Sequence, residues 1–213
     1  SYDYLTEKLK GFGFKHRKSI SDSRYIYRLK RHIIQESIYG VDIDSSAIDI
    51  ARLRLWLSLV VDEDDLDPIE TLPNLDYKIV AGNSLIGLND GAMKDLKVEA
   101  ELERLKEKFY NITDENEKKA LRKQINTKIR ELLDSAEQFA GYKIDFDFKL
   151  YFSEVWREKS GFDVVIGNPP YGANFSDEEK TILKKIYPKI KGQPESYEYF
   201  IFQAIEYLCN KVG

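Results

Sequence analysis

The tetrad Asn168-Pro169-Pro170-Tyr171 combines residue types that can hold a planar amino group. Consecutive prolines fix their own φ angles and keep the residues before them out of the α region, so the backbone is extended and its carbonyl groups are available. An amine attached to an aromatic ring is a poor nucleophile because its lone pair is delocalised. The Asn168 side-chain oxygen and the Pro169 carbonyl oxygen can accept its two N–H groups and favour a pyramidal nitrogen, while Tyr171 stacks on the ring. The tetrad therefore predicts a site for methyl transfer to such an amine, although a Pro-Pro pair can also be only a rigid turn.

A second group of residues, Asp42 and Ile43, follows an apolar segment and precedes a helix. A carboxylate at the end of a buried strand is costly to desolvate, but it is useful if it accepts hydrogen bonds from ribose hydroxyls. Ile43 would then lie against the face of an adenine. The alternative is that Asp42 or Asp44 only caps the helix, for which Asp44 is the better placed.

Asn83 and Ser84 form a third candidate group, in the turn Gly82-Asn83-Ser84. An amide side chain and a backbone N–H at this point could read the N6 and N1 edge of an adenine. Gly-Asn-Ser is also a common turn sequence, so the pair matters chiefly because it should share a sheet edge with Asp42.

Three apolar segments are predicted to be strands that position these groups: residues 37–43, 77–81 and 162–166. The first two lead into Asp42 and Asn83, and the third, a buried strand, leads into Asn168. A helix is expected from Ala47 to Val60, where apolar residues recur at helical spacing. Strands alternating with helices predict a parallel α/β sheet with its functional loops at the carboxyl ends of the strands.

Residues 93–139 are predicted to be an inserted antiparallel helical hairpin, which divides a core made of residues 1–92 and 140–213. The polar segment around Thr113 and Asp114 separates two runs of apolar residues at the three-and-four spacing of a helix seam. These residues are Val98, Leu102, Leu105, Phe109 and Ile112, then Leu121, Ile125, Ile129, Leu132, Ala136 and Phe139. Packing explains such a hairpin, and contact with a partner or with DNA is the second interpretation.

Composition limits the remaining possibilities. The chain has 213 residues, a formal charge of -4, one cysteine and two histidines, which excludes a disulfide framework and argues against a metal site of the zinc type. The sequence contains no run of about 18 apolar residues, so no membrane span is expected. These features predict a cytoplasmic protein. Its charge requires that any contact with nucleic acid be made by local patches or by a part of the protein outside this sequence.

The motifs together resemble those of the gamma-class N6-adenine DNA methyltransferases, especially the methyltransferase part of type IIG restriction-modification enzymes. Residues 39–44 with 51–56 look like the second motif of that family, and residues 82–86 resemble the third. Residues 162–171 are similar to the fourth motif, and residues 195–208 to the fifth. The resemblance covers most of the chain outside the predicted hairpin.

The resemblance implies a partial Rossmann-like fold that uses S-adenosylmethionine, with the hairpin inserted. It implies that Asp42 and Ile43 hold the ribose and adenine of this cofactor, and that Asn83 and Ser84 contact its adenine edge. Residues 168–171 would receive an adenine flipped out of double-stranded DNA. The lysines that follow Tyr171 would contact the phosphate backbone. They are Lys180, Lys184, Lys185, Lys189 and Lys191.

The sequence departs from the family at its first motif, a glycine-rich turn after a strand, for which Phe12-Gly13 is a poor substitute. The chain therefore resembles an internal fragment, and we expect it to bind the cofactor weakly or not at all by itself and to self-associate through exposed sheet edges. Three alternatives stay open: methylation of a glutamine amide in a protein, methylation of adenine in RNA, and a non-catalytic DNA-binding scaffold.

Overall fold

A computed structural model describes residues 23–60, 73–88, 96–112 and 114–210. Phe12-Gly13, Thr113 and the first residues of the predicted insertion lie outside these ranges. The helices are α1 (Ser23–Ser37), α2 (Ser45–Val60), α3 (Leu96–Asn111), α4 (Glu115–Ala140), α5 (Phe148–Tyr151), α6 (Ser153–Lys159), α7 (Asp177–Ile186) and α8 (Ser196–Gln203), which continues into a π-helical turn (Ala204–Leu208). The strands are β1 (Gly40–Asp42) and β2 (Ile79–Ala81).

The chain divides into two compact units, the first drawn from Ser1–Tyr39 and Ser46–Ile79 and the second from Gly40–Ser45 and Val80–Gly213. The core of the first unit is formed by apolar side chains of α1, of α2 and of the segment that enters β2. They are Tyr27, Ile34, Ile48, Leu59, Leu75 and Ile79. Each such side chain contributes about 1.5–3 kcal/mol when fully buried, so this cluster holds α2 against the approach to β2.

Two polar side chains of α2 fix the segment before β2. The Arg52 guanidinium donates to the carbonyl oxygens of Ile79 at 2.6 Å and Asp76 at 3.1 Å, and the Trp56 indole donates to the carbonyl oxygen of Pro73 at 3.1 Å. Buried carbonyl groups require such partners. The residues of the second motif therefore also have a structural role, because they hold the strand that leads to the third.

The strands β1 and β2 form a small parallel sheet, and both are shorter than predicted. β1 begins only at Gly40 because α1 continues to Ser37. β2 begins at Ile79 because the N–H groups of Lys78 and Ile79 both donate to the Leu75 carbonyl in a turn. Beyond the strands, the Gly82 N–H donates to the Asp42 carbonyl at 2.9 Å. The carboxyl ends of the two strands therefore lie side by side, as the sequence predicted.

Gly82 is required at the end of β2 by a close approach. A Cβ at this position would lie 2.3 Å from Cβ of Phe146, a side chain that is almost fully buried. Any larger residue would displace either Phe146 or the turn that carries Asn83, so the glycine of the third motif is explained by packing.

The prediction of a buried strand over residues 162–166 is wrong. Phe162 alone makes a parallel bridge, with Cys209, and the residues from Asp163 to Ile166 are not in a strand. Val164 and Ile166 are 72% and 91% exposed. A strand exists only where a neighbour completes its hydrogen bonds, and in the described part of the chain none lies beside these residues.

The helices α3 and α4 pack against each other in the second unit. Lys128 of α4 pairs with Glu101 of α3 at 3.3 Å, and Arg122 of α4 lies over the Phe109 ring of α3. The two helices are therefore antiparallel. Asp114 caps α4 by accepting from the N–H groups of Asn116 and Glu117.

The buried face of α4 differs from the predicted seam at its end. Leu133 is buried at 2% exposure, whereas Leu132 is only partly buried and Phe139 is 69% exposed. The helical period does not explain this difference, because Leu132 and Phe139 keep the three-and-four spacing of the face that Ile125, Ile129 and Ala136 define. The neighbours that pack against the end of α4 decide which of its side chains are covered. Although α4 is 26 residues long, no helix in the described ranges is apolar enough to cross a membrane.

Candidate functional site

The carboxylate of Asp42 is exposed at the end of β1, and one of its two oxygen atoms accepts a hydrogen bond from a nearby backbone N–H. Its Oδ1 accepts the Asp44 N–H at 2.9 Å, which orients the side chain and starts the turn into α2. The Oδ2 atom accepts no hydrogen bond from the described residues. Asp42 therefore orders the turn that precedes α2, and it still offers one oxygen to a hydroxyl group.

Ile43 follows with 77% of its surface exposed. A single exposed isoleucine needs no explanation by itself. Beside a fixed carboxylate, however, it supplies an apolar surface on which a planar ring can lie.

Asn83 uses its side-chain oxygen to build the turn after β2. Oδ1 accepts the N–H groups of Leu85 at 3.0 Å and Ile86 at 3.2 Å. Because backbone N–H groups need an acceptor, the orientation of the amide is determined and its NH₂ group points elsewhere, where it donates to none of the described residues. Asn83 can therefore donate to a ring nitrogen such as N1, but this geometry does not leave its oxygen available to accept from an N6 amino group.

Ser84 is held through its backbone by α8. The buried Gln203 side chain donates to the Ser84 carbonyl oxygen, and the Tyr187 hydroxyl donates to the next carbonyl, that of Leu85, at 2.9 Å. Burial raises the pKa of the Tyr187 phenol, so it stays a neutral donor. The side chains of Gln203 and Tyr187, which lie outside the two strands, thus fix the turn that carries Asn83.

The tetrad presents its acceptors openly. Asn168 is exposed and Pro169 is half-buried, and neither the Asn168 amide nor the Pro169 carbonyl is hydrogen-bonded to a described residue. The Pro170 carbonyl is different, because it accepts the hydroxyl of Ser196, a side chain that is only 2% exposed. The two acceptors expected to bind the amine are therefore available, and the next carbonyl is the one that fixes the backbone.

Tyr171 is 85% exposed, and its ring centre lies 6.2 Å from that of Tyr197 at an interplanar angle of 46°. Gly172 follows with φ of 67°, a left-handed conformation that turns the chain away directly after the ring. The ring of Tyr171 thus lies near an aromatic neighbour and has wide access to solvent, as a stacking surface requires.

The short helix α8 connects the tetrad to the turn after β2. Ser196, its first residue, holds Pro170, and Gln203, its last residue, holds Ser84. These positions are seven residues apart, or about 10 Å along a helix. The structure therefore sets the spacing between two groups of predicted residues through side chains that the sequence analysis did not single out. Gln203 is a polar residue within the aromatic stretch of residues 197–204, and this was the feature of the sequence that could have pointed to one of these anchors.

A cavity of about 350 Å³ lies beside α8, but it does not coincide with the predicted site. Its walls include Phe146, Trp156, Tyr187 and Tyr207, and Ser84 alone of the eight predicted residues lines it. The predicted residues lie instead on open surface at the ends of β1 and β2 and in the loop before α7.

Comparison with known proteins identifies the family. A protein of Methanocaldococcus jannaschii, provisionally named a type II restriction enzyme and methyltransferase, is 29% identical over 238 aligned positions, which include 75% of this chain and 20% of that protein. The chain thus spans about a fifth of the length of the curated relative that it matches. No solved structure shows significant similarity to it. The model of the Eco57I restriction-modification methylase family matches residues 36–213. The chain belongs to the Eco57I restriction-modification methylase family.

Proposed function

We propose that this chain is the catalytic part of a site-specific DNA adenine N6-methyltransferase that uses S-adenosylmethionine. One observation carries the proposal: two open acceptors, Asn168 Oδ1 and the Pro169 carbonyl, next to an exposed Tyr171 ring on a backbone anchored by Ser196. Family membership supports the methyltransferase activity. DNA as the substrate follows from the role of restriction-modification methylases.

The residues at the ends of β1 and β2 suit the nucleoside part of this cofactor. Asp42 Oδ2 can accept from ribose hydroxyls, Ile43 offers an apolar surface to the adenine, and the Asn83 amide can donate to a ring nitrogen. The Ser84 carbonyl is already occupied by Gln203, so Ser84 would contribute its N–H or hydroxyl. When bound, S-adenosylmethionine supplies a methyl group on a positively charged sulfur.

The tetrad acts on the second substrate, the amine. Asn168 Oδ1 and the Pro169 carbonyl each accept one N–H of an N6 amino group, which draws the nitrogen out of conjugation and directs its lone pair away from both acceptors. The backbone that carries both acceptors is anchored by Ser196 before the substrate arrives, which limits the reorganisation required in the transition state. Tyr171 stacks on the flipped base and recovers part of the few kcal/mol that flipping costs.

The proposed architecture is a Rossmann-like methyltransferase core with α3 and α4 as an inserted helical hairpin. The lysines of α7 and of the loop after it would face the DNA backbone. Lys184 and Lys185 are exposed. By contrast, the Lys180 ammonium lies 3.5 Å from the Asp177 carboxylate, and the Lys189 ammonium lies 3.5 Å from the Glu206 carboxylate. Lys184 and Lys185 pair with no carboxylate among the described residues, so they are the better candidates for a phosphate contact.

The test measures methyl transfer from labelled S-adenosylmethionine to genomic DNA by the full-length gene product. We expect N6-methyladenine in the digested DNA and at least a hundredfold lower rate for Asn168→Ala, since one preorganised acceptor is worth about 10²–10³ in kcat. Lys143→Gln, a change of an exposed side chain away from the tetrad, is the matched control. If the label is found in RNA or in protein glutamine instead of DNA, DNA is not the substrate. Equal rates for Asn168→Ala and the wild type would refute the role of Asn168.

A further inference from the structure

The outer face of α4 carries a stripe of basic and polar side chains that packing does not explain. Lys119, Arg122, Lys123, Asn126 and Thr127 line an open groove along the helix and are exposed. Their spacing of three and four residues places them on one side of α4, over about 12 Å. The buried residues Leu121 and Ile125 lie between them in sequence and face the opposite way.

The cations of α4 fall into two classes. Near the far end of the groove, Arg130 pairs with Asp134 and Glu137, and Lys128 pairs with Glu101 and Glu131 at 3.3 Å each. Lys119 and Lys123, by contrast, pair with no carboxylate in the described ranges. The positive charge of the stripe is therefore concentrated in its first two turns, whereas Glu131 and Asp134 make its other end acidic.

Arg122 lies between the two lysines and is partly oriented. Its guanidinium lies 5.7 Å from the centre of the Phe109 ring of α3, which restricts the side chain. Asn126 and Thr127 add an amide and a hydroxyl, which are common donors to phosphate oxygens. The stripe thus places Lys119 and Lys123, with the Thr127 hydroxyl nearby, along one helical face of a chain whose total charge is -4.

We propose that this stripe of α4 binds the sugar–phosphate backbone of DNA, with Lys119 and Lys123 each contacting a phosphate. The inference rests on the proposed function, which makes DNA the substrate, and it assigns to α3 and α4 a role in holding the duplex. Contacts of this kind neutralise phosphates and release counterions, so they strengthen binding to every sequence alike. They position the duplex without reading its bases.

The experiment measures the affinity of the full-length gene product for a 30-base-pair duplex of random sequence, by fluorescence anisotropy at several salt concentrations. The variant is Lys119→Gln with Lys123→Gln. The control is Lys143→Gln with Lys159→Gln, which removes the same charge from two exposed lysines already paired with Asp145 and Asp163. Glutamine keeps a good helix former at each position, and equal melting temperatures verify that both variants fold.

We expect the slope of log K against log salt to become shallower by about 1.8 in the variant, since each phosphate contact contributes about 0.9, and to stay at the wild-type value in the control. An unchanged slope in the variant, or an equal change in the control, would overturn the inference. Tighter binding of an RNA duplex, with the same loss in the variant, would overturn the choice of DNA. Methyl transfer to DNA by the wild type, measured in parallel, shows separately whether the proposed function holds.

Discussion

The hydroxyl of Ser196, the first residue of α8, donates to the carbonyl oxygen of Pro170. Ser196 is almost completely buried, whereas Pro170 lies in an exposed loop between two proposed substrate contacts. Proline lacks an N–H, so the backbone of residues 169 and 170 cannot be held by its own donors. A side chain from another element therefore supplies the anchor.

We predict that Ser196→Ala lowers kcat about tenfold and leaves the KM for S-adenosylmethionine unchanged. The change removes one hydrogen bond, worth about 0.5–1.5 kcal/mol, and this bond fixes the backbone next to the amine acceptors but does not touch the cofactor residues. Steady-state kinetics of the full-length gene product measure both constants. Ser196→Thr keeps the hydroxyl and should restore most of the rate. An increase in KM with normal kcat would contradict this positioning role.

Asn83→Asp separates the two functions of the Asn83 amide. The carboxylate still accepts the N–H groups of Leu85 and Ile86, so the turn is preserved, but the NH₂ donor is lost. We expect the KM for S-adenosylmethionine to rise about threefold to tenfold, the effect of one lost hydrogen bond, with kcat at saturation within about twofold of the wild type. A fall in kcat with unchanged KM would show that Asn83 serves the reaction and not the cofactor.

The sequence predicted where Asp42 and Asn83 lie relative to the strands, but it did not predict which hydrogen bonds the polar side chains of the site make. The run of residues 37–43 predicted that Asp42 ends a strand, and the close pairing of Asp42 with Gly82 agrees. The use of Asn83 Oδ1 within its own turn could not be predicted, because it depends on local φ and ψ angles. The anchors Ser196 and Gln203 are 26 and 119 residues from the carbonyls of Pro170 and Ser84, and no local pattern identifies such distant partners.

The wrong prediction at residues 162–166 has a related cause. The apolar residues Phe162, Val164 and Ile166 favour a strand, but the sequence does not show whether a neighbouring strand is present to cover them. In the structure, Phe162 packs against Trp156 and Phe152, whereas Val164 and Ile166 are exposed. An apolar run predicts a preference for burial, and the tertiary structure decides whether that preference is met.

The stability of the first unit should depend on Arg52. We predict that Arg52→Met lowers the free energy of unfolding by about 2 kcal/mol, since hydrogen bonds from a charged group are worth about 1.5–3 kcal/mol and methionine keeps the apolar stem. Arg54→Met, two residues away on the exposed side of α2, is the matched control and should change stability by less than about 0.5 kcal/mol. Urea denaturation measures both. Equal effects of the two substitutions would mean that the carbonyls of Asp76 and Ile79 do not need the guanidinium.

The exposed segment of residues 163–166 leads to a prediction about self-association of the 213-residue polypeptide. A segment that lies outside a sheet and exposes apolar side chains can pair with a second copy. Val164 and Ile166 expose 72% and 91% of their surface, so Ile166→Ser should not destabilise the fold, but it should weaken association. Ile205→Ser, at a residue that is 61% exposed on the π-helical turn, is the matched control.

Sedimentation velocity over a hundredfold range of concentration distinguishes the outcomes. We expect the wild type and Ile205→Ser to shift towards larger species as concentration rises, and Ile166→Ser to shift only at higher concentration. If all three proteins sediment as monomers throughout, the segment does not pair between copies. If Ile205→Ser alone remains monomeric, association occurs through α8 and the turn that follows it, and residues 163–166 are exposed for a different reason.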